Sequence, residues 1–149
     1  METISVDEYK LAIANGAVFE NKPRKKYKHE EDDLTIKTAN YLDDLKFTGK
    51  ILMFTHISNE TFTKYHSVKV KNRQKGVRPG IPDMFIVFNH GVLFLELKRE
   101  KHGVVSPDQK KWLEAIVRAG GDSGKIGGEV TAGWAKTKEI IDKYVKLMS

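Results

Sequence analysis

At 149 residues the chain is long enough for one domain with a core of its own. It contains no cysteine, which excludes disulfides and thiolate zinc sites. The first 20 residues carry Glu2, Asp7 and Glu8 and no apolar run of the length a signal peptide or membrane span needs, so the expectation is a cytoplasmic protein without membrane contact. The formal charge is +6. Its distribution matters more than its size. Lys22, Arg24, Lys25, Lys26 and Lys28 are five of seven consecutive residues, and Thr61 to Pro82 holds no carboxylate but does hold Lys64, Lys69, Lys71, Arg73, Lys75 and Arg78. Two such runs point to a phosphate backbone as partner.

In chain order, Ser5-Val6-Asp7-Glu8 has the form of a capping box, and Val6, Tyr9 and Ile13 recur at helical spacing up to Gly16. A basic linker occupies 17–28, so that 1–28 is expected to stand apart from a single globular domain over 29–149. Leu34, Thr38, Tyr41, Leu42 and Leu45 form the stripe of a helix over about 30–46. Ile51-Leu52-Met53-Phe54 reads as a buried strand, and 58–80 as irregular chain or a hairpin.

Met84 to Phe88 and Val92 to Leu97, separated by Asn89-His90-Gly91, have a hairpin pattern. Both strands are apolar on both faces and belong in the middle of a covered sheet. Ser106-Pro107-Asp108-Gln109 opens a further helix, with proline at the first helical position. It is expected to bury Trp112, Leu113, Ile116 and Val117 and to end at Gly120-Gly121. A glycine-rich strand over 125–132 precedes a last amphipathic helix carrying Ile140, Ile141, Tyr144, Val145 and Met148. This order of elements predicts an α/β layered domain.

Glu96 and Lys98, two apart on a strand, share a face. With His90-Gly91 as a two-residue turn, Asp83 lies opposite Lys98 and diagonal to Glu96, on that same face. A diagonal pair is about 7–8 Å apart, a gap that two carboxylates bridge through a metal ion. Charges at the ends of such apolar strands need a partner or a metal. The alternative is a surface pair of Glu96 with Lys98.

Gly80-Ile81-Pro82-Asp83, then Glu96-Leu97-Lys98, then Ser106-Pro107-Asp108-Gln109 with Trp112, resemble the VRR-NUC domain of the PD-(D/E)XK nuclease superfamily, in particular its compact, stand-alone phage and bacterial members. The resemblance covers about 30–120 well and 121–149 loosely. It implies a restriction-endonuclease-like core, with a central mixed β-sheet flanked by helices, and a metal-dependent endonuclease acting on DNA. It gives Asp83, Glu96 and the backbone carbonyl of Leu97 to the metal, and Lys98 to the attacking water and the developing charge. Ligation by oxygen alone favours magnesium or manganese, and the five histidines show no ligand-like spacing. No small-molecule cofactor is expected.

The family also places a glutamate on the first helix beside the metal. Helical geometry brings Glu31 nearest the apolar stripe with Glu30 next, while Asp32 and Asp33 suit the helix N-terminus. Gln109 has two readings, as a capping-box partner and as a residue of the active site. Ser58 stands where relatives have proline in a His-x-Pro-Asn segment, so Asn59 and Glu60 are not assigned. Gly120 to Lys125 mimics a phosphate-binding loop but has Ala119 for the first glycine and Ile126 for the magnesium-holding Ser or Thr. The basic residues expected on DNA are Lys69, Lys71, Arg73, Lys75 and Arg78, with Arg24, Lys25 and Lys26. The resemblance further implies a homodimer that cleaves branched DNA, four-way (Holliday) junctions above all. The alternatives are a flap- or single-strand-directed nuclease and a non-catalytic DNA-binding module.

Overall fold

The computed structural model describes residues 15, 27–58 and 65–149. The short helix expected near the N-terminus, Arg24, Lys25, Lys26, Asn59 and Glu60 lie outside the described residues. The element order is α1 (Tyr27–Phe47), β1 (Met53–His56), α2 (His66–Gln74), β2 (Met84–Phe88), β3 (Gly91–Lys98), α3 (Pro107–Gly120), a 3-10 turn (Gly121–Ser123), β4 (Ile126–Ala132) and α4 (Gly133–Leu147). Among the described residues no helix is long and apolar enough to cross a membrane.

The four strands form one mixed sheet in the order β1-β2-β3-β4. The first two pairings are antiparallel, and β4 returns parallel to β3 after the α3 crossover. β2 and β3 are the two central strands, as their apolar runs require. The helices divide between the faces, and two adjacent glycines of β4 reveal how. A Cβ on Gly127 would meet the Tyr144 ring of α4, whereas one on Gly128 would meet Ile116 of α3. Successive strand residues point to opposite faces, so α3 covers one face and α4 the other. α1 joins α4: the Tyr41 and Trp134 rings meet edge-on at 5.5 Å, and the Tyr41 hydroxyl donates to Asp142.

Under α1 and α4 lies the main core, where Leu34, Leu42 and Leu45 of α1 meet Met84, Ile86 and Phe88 of β2 and Leu93, Leu95 and Leu97 of β3. The polar residues admitted there are satisfied. The Thr38 hydroxyl donates to the Leu34 carbonyl at 2.7 Å, and the Thr131 and Thr137 hydroxyls share a hydrogen bond of 2.8 Å.

Four expectations are corrected. The first strand begins at Met53, not Ile51, and as the edge of the sheet it is largely exposed rather than buried. Residues 66–74 are helical, not irregular or a hairpin. Val117 is 55% exposed, because α3 turns Ile116 and Gly120 toward the sheet. The hairpin turns at Asn89-His90, with Phe88 opposite Gly91, rather than at His90-Gly91.

Candidate active site

That register moves Asp83. Met84 pairs with Leu95, so Asp83, one residue before β2, comes level with Glu96 and not with Lys98. The shift is by two residues, which preserves the face. Asp83, Glu96 and Lys98 therefore share the α3 side of the sheet, opposite the main core.

Each side chain is held by its neighbours. Asp83 Oδ2 accepts a hydrogen bond from the Leu97 backbone N–H at 2.8 Å. The Asp83 carbonyl accepts from the Ile57 N–H at 2.6 Å, tying the end of β1 to the same place. Glu96 is only 2% exposed. Its Oε1 receives the Lys98 ammonium at 2.9 Å and the Gln109 amide N–H at 2.5 Å. Its Oε2 is buried and has no hydrogen-bond partner. A buried carboxylate oxygen without a donor is costly unless a cation or a proton meets it.

The first turn of α3 places Gln109. Ser106 and Gln109 form a complete capping box: the Ser106 hydroxyl accepts from the Gln109 N–H at 3.2 Å, and Gln109 Oε1 accepts from the Ser106 N–H at 2.9 Å. The amide nitrogen is thereby turned to Glu96. Gln109 therefore caps α3 and holds Glu96 at once. The same helix grips the segment before Asp83. Trp112 Nε1 donates to the Pro79 carbonyl at 2.9 Å, and Gly80, at φ +91°, lies so close that a Cβ there would sit 2.5 Å from the Asp108 carbonyl carbon.

Burial raises the pKa of both carboxyls. For Glu96 the Asp83 charge adds to the burial, against the opposing pull of Lys98, and carries the group to about 7. For Asp83 the Leu97 N–H, Lys98, His56 and Glu96 oppose the effect of burial. In the metal-free protein the pair thus retains a proton near neutrality. A half-buried and a buried carboxylate side by side, the latter with an orphaned oxygen, are a donor set that fits a hard divalent cation in place of that proton.

His56 enters the electrostatics of Asp83, and sequence reasoning did not assign it. Its pairing with Met84 in β1 carries the signal, which is visible only once the strands are registered. Other expected residues stand apart. Glu31 is exposed on α1, and its backbone carbonyl accepts from Thr35. Glu30, a step of about 100° around the helix, instead lines a cleft with Arg99 and Trp134. Among the described residues no group of three or more His, Asp or Glu stands ready to hold a metal, so neither glutamate joins Asp83 and Glu96. Lys69, Lys71 and Arg73 lie on α2, a helix with no buried residue; Lys75 is its C-cap, and Arg78 donates back to the Arg73 carbonyl at 2.9 Å.

Buried Glu96, half-buried Asp83 and Lys98 thus come together at one end of the paired central strands. The VRR-NUC domain model matches residues 27–129, and the chain belongs to that family of PD-(D/E)XK-type nucleases. A solved structure described as a VRR_NUC domain protein has the same fold, with a TM-score of 0.61 and 21% identity over 79% of this chain and 89% of that one. No curated protein matches the chain. Membership implies a nuclease with DNA as substrate, in a family that is typically metal-dependent.

Proposed function

We propose that the protein is a magnesium- or manganese-dependent endonuclease that hydrolyses DNA phosphodiester bonds at the Asp83–Glu96–Lys98 centre. One observation carries this reading: the orphaned Oε2 of Glu96, buried level with Asp83, on a carboxylate whose other oxygen already holds Lys98 and Gln109. The ligands on this reading are Asp83, Glu96 and the backbone carbonyl of Leu97; Glu31, which the resemblance also offers, is exposed on α1 and apart from them. When bound there, a hard cation supplies Lewis-acid polarisation of the phosphodiester and an acidified water.

The chain's own groups do the rest. Lys98, 13% exposed at its side chain, orients the attacking water and neutralises charge that develops on the phosphate. Gln109 fixes the Glu96 carboxylate so that Oε2 stays turned to the ligand side. The α3 cap and Gly80 keep both carboxylates in register. Lys69, Lys71, Arg73, Lys75 and Arg78 supply phosphate contacts from an exposed helix and its C-terminal turn, as do Arg24, Lys25 and Lys26 in the basic linker.

The preferred substrate on this reading is branched DNA, with the four-way junction first, cut by a homodimer. Symmetric nicks across a two-fold junction need two centres related by a two-fold axis. Apolar side chains around the α1–β1 turn, including Phe47 at 91% exposure and Met53, supply surface for a second copy. The test is a panel of single-stranded, duplex, flap and four-way DNA incubated with manganese, magnesium or EDTA, with sedimentation in parallel. Metal-dependent nicking by a dimer, fastest on the four-way junction, is the expected result. Binding without cleavage under every metal condition overturns the enzymatic reading.

A further inference from the structure

A cleft of about 610 Å³ opens on the α1/α4 side of the sheet, at the end where β3 delivers Lys98. Arg99, the next residue, lines it, as does the turn that follows as far as His102. We propose that this cleft holds one unstacked nucleobase of the DNA strand engaged by the active site. The proposal deepens the nuclease reading and rests on it.

The lining selects the ligand. Glu30, Asp33 and Glu100 face the space and offset Lys37, Arg99 and Lys101, so the lining has no net positive charge to draw a phosphate group. Lys37 and Lys101 face it too, and no metal-holding cluster exists among the described residues, which disfavours a bare cation. The floor is apolar, with buried Leu34 and half-buried Trp134. A flat aromatic body with amino groups and ring acceptors at its edge meets all three demands: the indole for stacking, carboxylates for amino groups, cations for ring nitrogens and carbonyls. The volume lies in the range of about 300–1,000 Å³ usual for small-ligand sites.

The platform is rigid. Tyr41 meets the Trp134 ring at 88°, and the Tyr41 hydroxyl is itself fixed on Asp142. Among the described residues the cation over the ring is the Lys37 ammonium, 5.0 Å from its centroid, on a long exposed side chain that can swing aside. The cleft and the catalytic carboxylates occupy opposite faces of the same sheet end. A strand crossing from one to the other must break its stacking there, which a branch or unpaired arm permits and a continuous duplex resists.

The experiment uses the full chain in EDTA with branched DNA carrying 2-aminopurine at successive positions of an unpaired arm. At one position, binding of the wild-type protein should quench fluorescence at least twofold, and Trp134→Leu should abolish that quench. An abasic nucleotide at the same position should lower the affinity of the wild-type protein about tenfold, a readout that needs no folded variant. Equal quenching by wild type and Trp134→Leu, or unchanged affinity for the abasic strand, overturns the proposal. Cleavage with manganese is scored separately on the same DNA. Cutting without a base-dependent signal removes the cleft and keeps the nuclease, whereas the signal without cutting does the reverse.

Discussion

Gln109, in the first turn of α3, donates its side-chain N–H to the buried carboxylate of Glu96 at 2.5 Å while its carbonyl oxygen caps the helix at Ser106. One residue thereby couples the stability of a helix end to the orientation of a site carboxylate. Gln109→Ala should lose both, costing about 1–2 kcal/mol in urea denaturation and lowering the cleavage rate. Gln109→Glu keeps an acceptor for the Ser106 N–H but places a second carboxylate against Glu96. It should retain most of the stability at pH 5 and still cut slowly. Wild-type cleavage by Gln109→Glu would confine the residue to capping.

Gly80 should tolerate no side chain. Its φ of +91° and the 2.5 Å approach to the Asp108 carbonyl carbon leave no room for a methyl group. Gly80→Ala should lower stability by about 2–4 kcal/mol in chemical denaturation, and the loosened loop should weaken manganese binding at Asp83. A loss under about 0.5 kcal/mol would show that the loop and helix separate easily.

Stability of the metal-free protein should fall as pH rises. Glu96 moves from an ordinary 4.5 to about 7 on folding, so between those values the native state binds more protons than the unfolded state. The pH slope of the unfolding free energy is then negative: stabilisation is complete below about 4.5 and lost above about 7. The loss is on the order of a few kcal/mol. Glu96→Gln should flatten this slope and melt higher than wild type at pH 7.5 without metal. Thermal melts across pH 4–8 in EDTA check it, and identical profiles would contradict the burial argument.

Replacing Lys69, Lys71, Arg73 and Lys75 together by Ala should weaken DNA binding and reduce the slope of log affinity against log salt by up to about 3. None of the four is buried, so the melting temperature should stay near wild type. An unaltered salt slope would make α2 a merely solvated surface.

Much of this was legible from residue spacing, and the failures have local causes. The α1 stripe, the central hairpin and the α3 capping box follow from periodicity and cap chemistry, which act within one element. The hairpin register did not, because Gly91 looks like a turn residue. It is glycine for another reason: a Cβ there would collide with the Lys125 carbonyl oxygen and the Met148 sulfur. The actual turn is tied to the C-terminus, His90 N–H donating to the Met148 carbonyl at 3.0 Å, a contact that no local pattern encodes. Val68-Lys69-Val70-Lys71 alternates like a strand yet is helical and takes no part in the four-stranded sheet. The clustering of Asp83, Glu96 and Lys98 was legible because a charged trio among apolar strands is conspicuous. His56 was missed because its relation to Asp83 passes through strand pairing.

The most direct test of the central claim is cleavage of a four-way junction by wild type and Lys98→Ala, each with 1 to 10 equivalents of manganese (roughly the range that saturates one site) and with EDTA. Wild type should cut only with metal. Lys98→Ala should bind metal and DNA normally, melt as a folded protein and cut at least about 1,000-fold more slowly, the scale of losing one transition-state charge contact. Cleavage by a folded Lys98→Ala protein at the wild-type rate, or undiminished cleavage in EDTA, would contradict the assignment of the centre.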